Sequence, residues 1–181
     1  DLVGAFRGDD RLLIATQSGL IKTSIPDLNM HFPEDMLILE KWEPTKPISA
    51  IYYDGVKERY FGKRFLIESA DREESFIKEG KQNHLELIST DHRPVFEIEF
   101  AKPRGKDPKP PQQLVFEDFI SVKGIKALGN QVTTDKVKQF NVLDALPYLN
   151  PMEETPADIE VEGAETVDQA EEGNTQISLE L

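Results

Sequence analysis

Four stretches of this chain share one design: a run of β-branched and aromatic residues broken by a tight-turn signal. Residues 11–24 (RLLIATQSGLIKTS) break at Gln17-Ser18-Gly19, and residues 48–68 (ISAIYYDGVKERYFGKRFLIE) break at Asp54-Gly55. Residues 85–100 bend between Asp91 and Pro94, and residues 119–133 carry turn signals at Gly124 and at Gly129-Asn130. Val, Ile, Tyr and Phe that alternate or cluster between such turn formers predict strands. The turn centres, near residues 18, 55, 92 and 129, lie about 37 residues apart, a period that fits a propeller-like blade and not a helical repeat. Aperiodic hairpins of a β-sandwich are the other source of such spacing. Helical periodicity is scarce, with residues 69–80 the best short candidate, so the expected fold is all-β with little helix.

The 181 residues suffice for one core and an appendage. There is no cysteine, so neither disulfides nor thiolate metal sites can brace the fold, which fits a reducing compartment such as the cytoplasm. No apolar run approaches the ~20 residues of a membrane span. The chain opens on Asp1-Leu2-Val3-Gly4, with neither methionine nor a leader pattern, and is expected to be a fragment of something longer.

Charge divides the chain in two. Ten of its 34 acidic residues follow Asn150, and none of its 21 basic residues do. Residues 150–181 therefore carry −10, while the body, residues 1–149, holds 24 acidic against 21 basic residues, a balance of −3. A segment so polar and so uniformly charged cannot bury enough apolar surface to offset its ordering entropy, and a disordered acidic C-terminal tail is expected. Residues 102–111 (KPRGKDPKPP) are too rich in proline for a central strand and predict an exposed basic connector.

Residues 11–24 resemble the repeat of the C-terminal domain of the bacterial DNA gyrase and topoisomerase IV A subunits, in which a Leu/Ile-rich strand runs into Thr-x-x-Gly and then into a strand ending in basic residues. Residues 61–65 (FGKRF) are similar to the basic outer strand of a following blade. Residues 122–140 (VKGIKALGNQVTTDKVKQF) resemble the stretch near that domain's end, and the likeness spans roughly residues 1–145. The resemblance implies a partial β-pinwheel of about three to four repeat units. The full disc of the family has five or six propeller-like, four-stranded blades and guides double-stranded DNA along a basic rim. It also implies an ATP-dependent type II enzyme whose cleavage and ATPase parts lie elsewhere, on the remainder of the A subunit and on its partner subunit. The seven-residue box of Gln, basic residues and glycines found in gyrases is absent from this sequence, which favours the topoisomerase IV type or a box lying upstream.

DNA affinity rests on phosphate neutralisation, so exposed Lys and Arg along one edge are the residues of interest. Between residues 102 and 138 stand Lys102, Arg104, Lys106, Lys109, Lys123, Lys126, Lys136 and Lys138 against four acidic residues, a local excess of four positive charges. Lys22, Arg59, Lys63 and Arg64 extend the set if the hairpins align. The bland reading is ordinary solvated charge. No recognition helix is evident, so binding should be largely independent of base sequence and the protein nucleoid-associated.

Catalysis has no foothold: His31, His84 and His92 lack metal-ligand spacing, and neither a phosphate loop nor a nucleophile elbow is present. No catalytic residue, metal or cofactor is expected. The tail ends with Gln176, Ile177, Leu179 and Leu181, which resemble the Gln-led hexapeptides that dock on the replication sliding clamp and equally suit a strand added to a sheet edge. The rival to a DNA-guiding module is a protein-interaction β-propeller fragment that does not bind DNA.

Overall fold

The computed structural model describes residues 4–69 and 72–148; the acidic tail and its terminal hexapeptide lie outside the described residues. β1 (Leu12–Thr16) and β2 (Leu20–Ser24) form an antiparallel hairpin in which Ala15 faces Ile21 across the turn. The turn needs Gly19, whose φ of +84° is in the left-handed region and whose missing Cβ would sit 2.8 Å from the Ile77 side chain. Thr16 Oγ1 accepts the Leu20 N–H at 3.2 Å, which explains a threonine three residues before that glycine. All five residues of β1 are buried, and its continuous apolar run is that of a strand covered on both faces.

β3 (Met36–Lys41) pairs with the other edge of β1, and this three-strand arrangement recurs twice. In the second repeat, β4 (Ile48–Asp54) pairs with β5 (Arg59–Phe65) and with β7 (His84–Ser89). In the third, β8 (Val95–Phe100) pairs with β9 (Gln112–Val115) and with β11 (Val137–Leu143). Each sheet thus runs third strand, first strand, second strand. The fourth strand of a sheet comes from the following repeat. β6 (Glu74–Ser75), which lies between β5 and β7 in sequence, pairs with β2; β10 (Asn130–Gln131), between β9 and β11, pairs with β5.

Two-residue strands cannot hold themselves by ladder bonds worth about 1 kcal/mol each. β6 is held by the two residues directly after it: Phe76 and Ile77 are buried in the first core, each contributing roughly 1.5–3 kcal/mol, and the Phe76 N–H donates to Gly19 O at 3.0 Å. β10 is held by a close backbone approach. A Cβ on Gly129 would lie 2.4 Å from Gly62 O, and one on Gly62 would meet the rings of Phe119 and Phe116 at 2.6 and 2.8 Å. Those rings belong to α1 (Phe116–Phe119), a single turn after β9.

The chain builds two cores that share β4. Ile48, Ala50 and Tyr52 enter the first with Leu13, Ile21 and Phe65, while Ile51 enters the second with Phe96, Ile98, Phe116 and Phe140. Strand alternation sends successive β4 side chains to opposite faces, so both faces of the sheet are dry. Lys63 is 8 % exposed, and its Nζ donates to Phe76 O and to Ile125 O, each at 2.7 Å. This ammonium ties the donated segment of repeat 2 to the loop of repeat 3.

The all-β expectation is met, and α1 is the one α-helix among the described residues. The first two predicted hairpins form around their predicted turns. The third differs: residues 91–94 link repeat 2 to repeat 3, and the hairpin of repeat 3 closes instead through residues 101–111. Residues 119–133 hold β10 and no hairpin, and residues 69–80, read as the best helical candidate, hold β6. Three repeats therefore occupy the described residues, with the lone strands β6 and β10 lent backwards.

Burial, and then the nearby Lys78 charge, lower the Lys63 pKa to about 8. The neutral amine keeps two N–H donors for its two carbonyls. Because the folded state loses this proton near pH 8 and the unfolded chain keeps it to about 10.4, stability rises with pH between those limits. Urea unfolding followed through the single tryptophan, Trp42, should show an increase of roughly 3 kcal/mol at most over that window. Lys63→Met should abolish the increase, and a slope unchanged in that variant would reject the assignment.

Candidate nucleic-acid interface

The connector at residues 101–111 leaves β8 and returns as β9, while β11 lies along the other edge of β8. The Ala101 N–H donates to Lys136 O at 2.8 Å, which stitches the connector to the residue preceding β11. Three adjoining clefts result. Arg59 and Lys136 line one of about 410 Å³ with Tyr53, Tyr60 and Thr134. Lys136, Lys102 and Lys109 line the next, of about 280 Å³. Lys102, Lys109 and Lys138 line the third around Phe100 and Pro111, of about 370 Å³. Through shared walls, Arg59, Lys136, Lys102, Lys109 and Lys138 line one run of clefts, a strip whose walls also hold the carboxylates Glu58, Asp135 and Glu99.

Two of the five cations are partly answered. Lys109 pairs with Asp135 at 2.6 Å and lies over the Phe100 ring, 5.6 Å from its centroid. Lys138 pairs with Glu99 at 2.8 Å, and the hydrogen bond from Lys138 is the main cause that holds the Glu99 carboxyl below its usual range, helped by Asn141. Both pairs are solvent-exposed and so contribute little to stability, leaving the lysines available to a denser anion. Among the described residues, no carboxylate lies within ion-pair distance of Lys102 or Lys136. Tyr53 and Tyr60 pair across the β4–β5 hairpin with ring centroids 5.0 Å apart, and burial pushes the Tyr60 phenol up, so at neutral pH it remains a donor.

Arg104 and Lys106 are exposed on the same connector, on either side of Gly105, whose φ is +75°. The other predicted cations lie apart from the strip. Lys22, half-buried on β2, lines a small crevice with Glu73. Lys123 donates from its Nζ to Asn130 Oδ1 at 3.3 Å and from its backbone N–H to Arg64 O at 2.8 Å. Lys126 shares a cleft with Lys78 and the Lys63 side chain. Arg64 is half-buried and donates to His92 O at 2.7 Å, and burial lowers its pKa. The Lys63 ammonium is enclosed and spent on two carbonyls, so it is a strut of the core and not a rim residue. Alternation carried that signal: Lys63 stands between Phe61 and Phe65 on the inward face of β5. Sequence reasoning also missed Tyr53, Tyr60 and Thr134 as cleft walls, although the Asp54-Gly55 turn sets the Tyr53–Tyr60 register.

The family model described as the topoisomerase C-terminal domain of Bacteroidota matches residues 1–144. The chain belongs to this family. No curated protein and no solved structure matches it. The match ends one residue past β11, so all three sheets of this topoisomerase C-terminal domain fall inside it and the acidic tail falls outside.

Acylation of the native domain with an amine-selective reagent, read by mass spectrometry, should modify Lys102 and Lys136 on the order of tenfold faster than Lys63, because only local opening exposes the latter. Equal rates would mean that the strut is not closed.

Proposed function

We propose that the domain holds duplex DNA by phosphate neutralisation along the strip formed by Arg59, Lys136, Lys102, Lys109 and Lys138, without base reading and without chemistry of its own. The carrying observation is the convergence of these five cations from two sheets onto adjoining clefts. Arg104 and Lys106, on the same connector, extend the track. The Tyr60 hydroxyl and the Thr134 hydroxyl supply neutral donors of the kind that fix a phosphate backbone in position. We place the domain on the A subunit of an ATP-dependent type II topoisomerase, of the topoisomerase IV type, with cleavage and ATP hydrolysis carried by other parts of that enzyme. We read the three strand-exchanging sheets as an arc of a β-pinwheel acting on nucleoid DNA in the cytoplasm. In that role the strip presents a DNA segment to the catalytic core.

Titration of a labelled duplex by fluorescence anisotropy at several salt concentrations tests this reading. Five neutralised phosphates give a slope of log K against log salt of about −4.5. Replacing Lys102 and Lys136 together with alanine should reduce the magnitude of that slope by about 2 and weaken binding equally for unrelated sequences. Binding that ignores salt, or no binding at low salt, would reject the DNA reading and favour a surface for a protein partner. The tail is a second polyanion on the same chain, with ten carboxylates. Removing residues 150–181 is expected to tighten DNA binding at low ionic strength; unchanged affinity would make the tail a bystander.

A further inference from the structure

The connector between β8 and β9 is tied to the domain at few points. At its near end the Ala101 N–H holds Lys136 O, and at its far end Gln112 enters the ladder opposite Ile98. Every residue from Lys102 to Pro111 is exposed. Between Lys102 and Pro110, one hydrogen-bonded tie to the rest of the domain exists among the described residues: Lys109 Nζ donates to Asp135 Oδ2 at 2.6 Å. The tip stands clear of the body. There the Lys106 N–H closes a turn on Pro103 O at 3.3 Å, and a Cβ on Gly105 would meet no heavy atom within 4 Å beyond its chain neighbours.

Proline makes this segment an arm and not a slack loop. Pro103, Pro108, Pro110 and Pro111 fix φ and favour extended backbone, so the limbs keep their shape without contacts and lose less entropy when they settle on a ligand. The arm carries Lys102, Arg104, Lys106 and Lys109 against Asp107 alone. The two halves of its tie differ. Asp135 is seated in a turn, its own N–H on Thr133 Oγ1 at 3.1 Å, whereas Lys109 comes from the arm and rests over the Phe100 ring. Both side chains are open to water, at 58 and 40 % exposure, so the pair is weak and a phosphate can take the place of Asp135.

We propose that residues 102–110 are a hinged basic arm, latched in the free domain by the Lys109–Asp135 pair and released by DNA. The inference rests on the DNA reading of the strip and adds its regulation. A phosphate on the strip draws Lys109 from Asp135, and the arm, hinged at Ala101 and Gln112, folds over the bound duplex with Arg104 and Lys106 on its backbone. Asp135 is then a positioning residue that keeps the arm parked, and its loss favours DNA binding.

Limited trypsin digestion of residues 1–181, read by mass spectrometry, tests the latch. Pro103 and Pro110 shield Lys102 and Lys109 from the protease, so cleavage after Arg104 reports the arm. Without DNA, Asp135→Asn and Lys109→Met should each speed that cut about threefold, as expected for an exposed ion pair, and the double variant should add nothing further. Glu58→Gln, which removes a neighbouring charge without touching Lys109, should leave the rate as it is. A saturating duplex should slow the cut roughly tenfold in the natural sequence, and Asp135→Asn should tighten duplex binding about threefold at low salt. A cut unchanged by Asp135→Asn would overturn the latch and leave the strip standing. Salt-dependent duplex binding that fails to protect Arg104 would overturn the folding of the arm. Absence of duplex binding in every variant would instead remove the DNA reading, and the arm's role with it.

Discussion

A sheet edge in water presents unpaired N–H and C=O groups, and covering that edge is the constraint around which this domain is built. The second strands of repeats 1 and 2 would be edges, and the following repeat covers each with a segment only two residues long in the ladder. So short a strand needs help from outside the ladder. Phe76 and Ile77 sink beneath Gly19, Gly129 closes onto Gly62, and the Lys63 ammonium bridges Phe76 O and Ile125 O. Each device is a contact between different repeats. Neighbouring repeats therefore supply surface that each repeat lacks alone, as in other repeat arrays.

How much of this was legible in the sequence depends on the distance over which each decision is made. The first two hairpins could be read because their turn chemistry lies within a few residues: Gly19 needs a left-handed φ, and Asp54 Oδ1 accepts the N–H groups of Val56 and Lys57 at 3.0 Å. The third could not, because its strands are joined by a proline-rich connector, and the nearer bend at residues 91–94 mimicked a turn. β6 and β10 left almost no trace, since two-residue strands in charged or glycine-rich sequence owe their existence to an edge more than 50 residues away. The inward position of Lys63 is legible in the alternation of β5, where the flanking Phe61 and Phe65 show which way it points.

The strip illustrates the same division. Composition alone marked the connector, with Lys102, Arg104, Lys106 and Lys109 held out by prolines. That Lys136 and Arg59 join it depends on the bond from Ala101 N–H to Lys136 O and on the end of the β4–β5 hairpin lying beside them. A chain of net charge −13 can still present such a track, because the surplus of acid sits after Asn150 and the body is close to balance. What a polyanion meets at short range is the local arrangement, since beyond about 10 Å ordinary salt screens the rest.

The shared strand β4 has a consequence for how the molecule can come apart. Its odd and even side chains belong to different cores, so neither core can melt without stripping one face of the same seven residues. Repeat arrays often fray from their ends one module at a time. Here the middle strand is clasped from both sides, so loss of either core uncovers one face of β4 and weakens the support of the other.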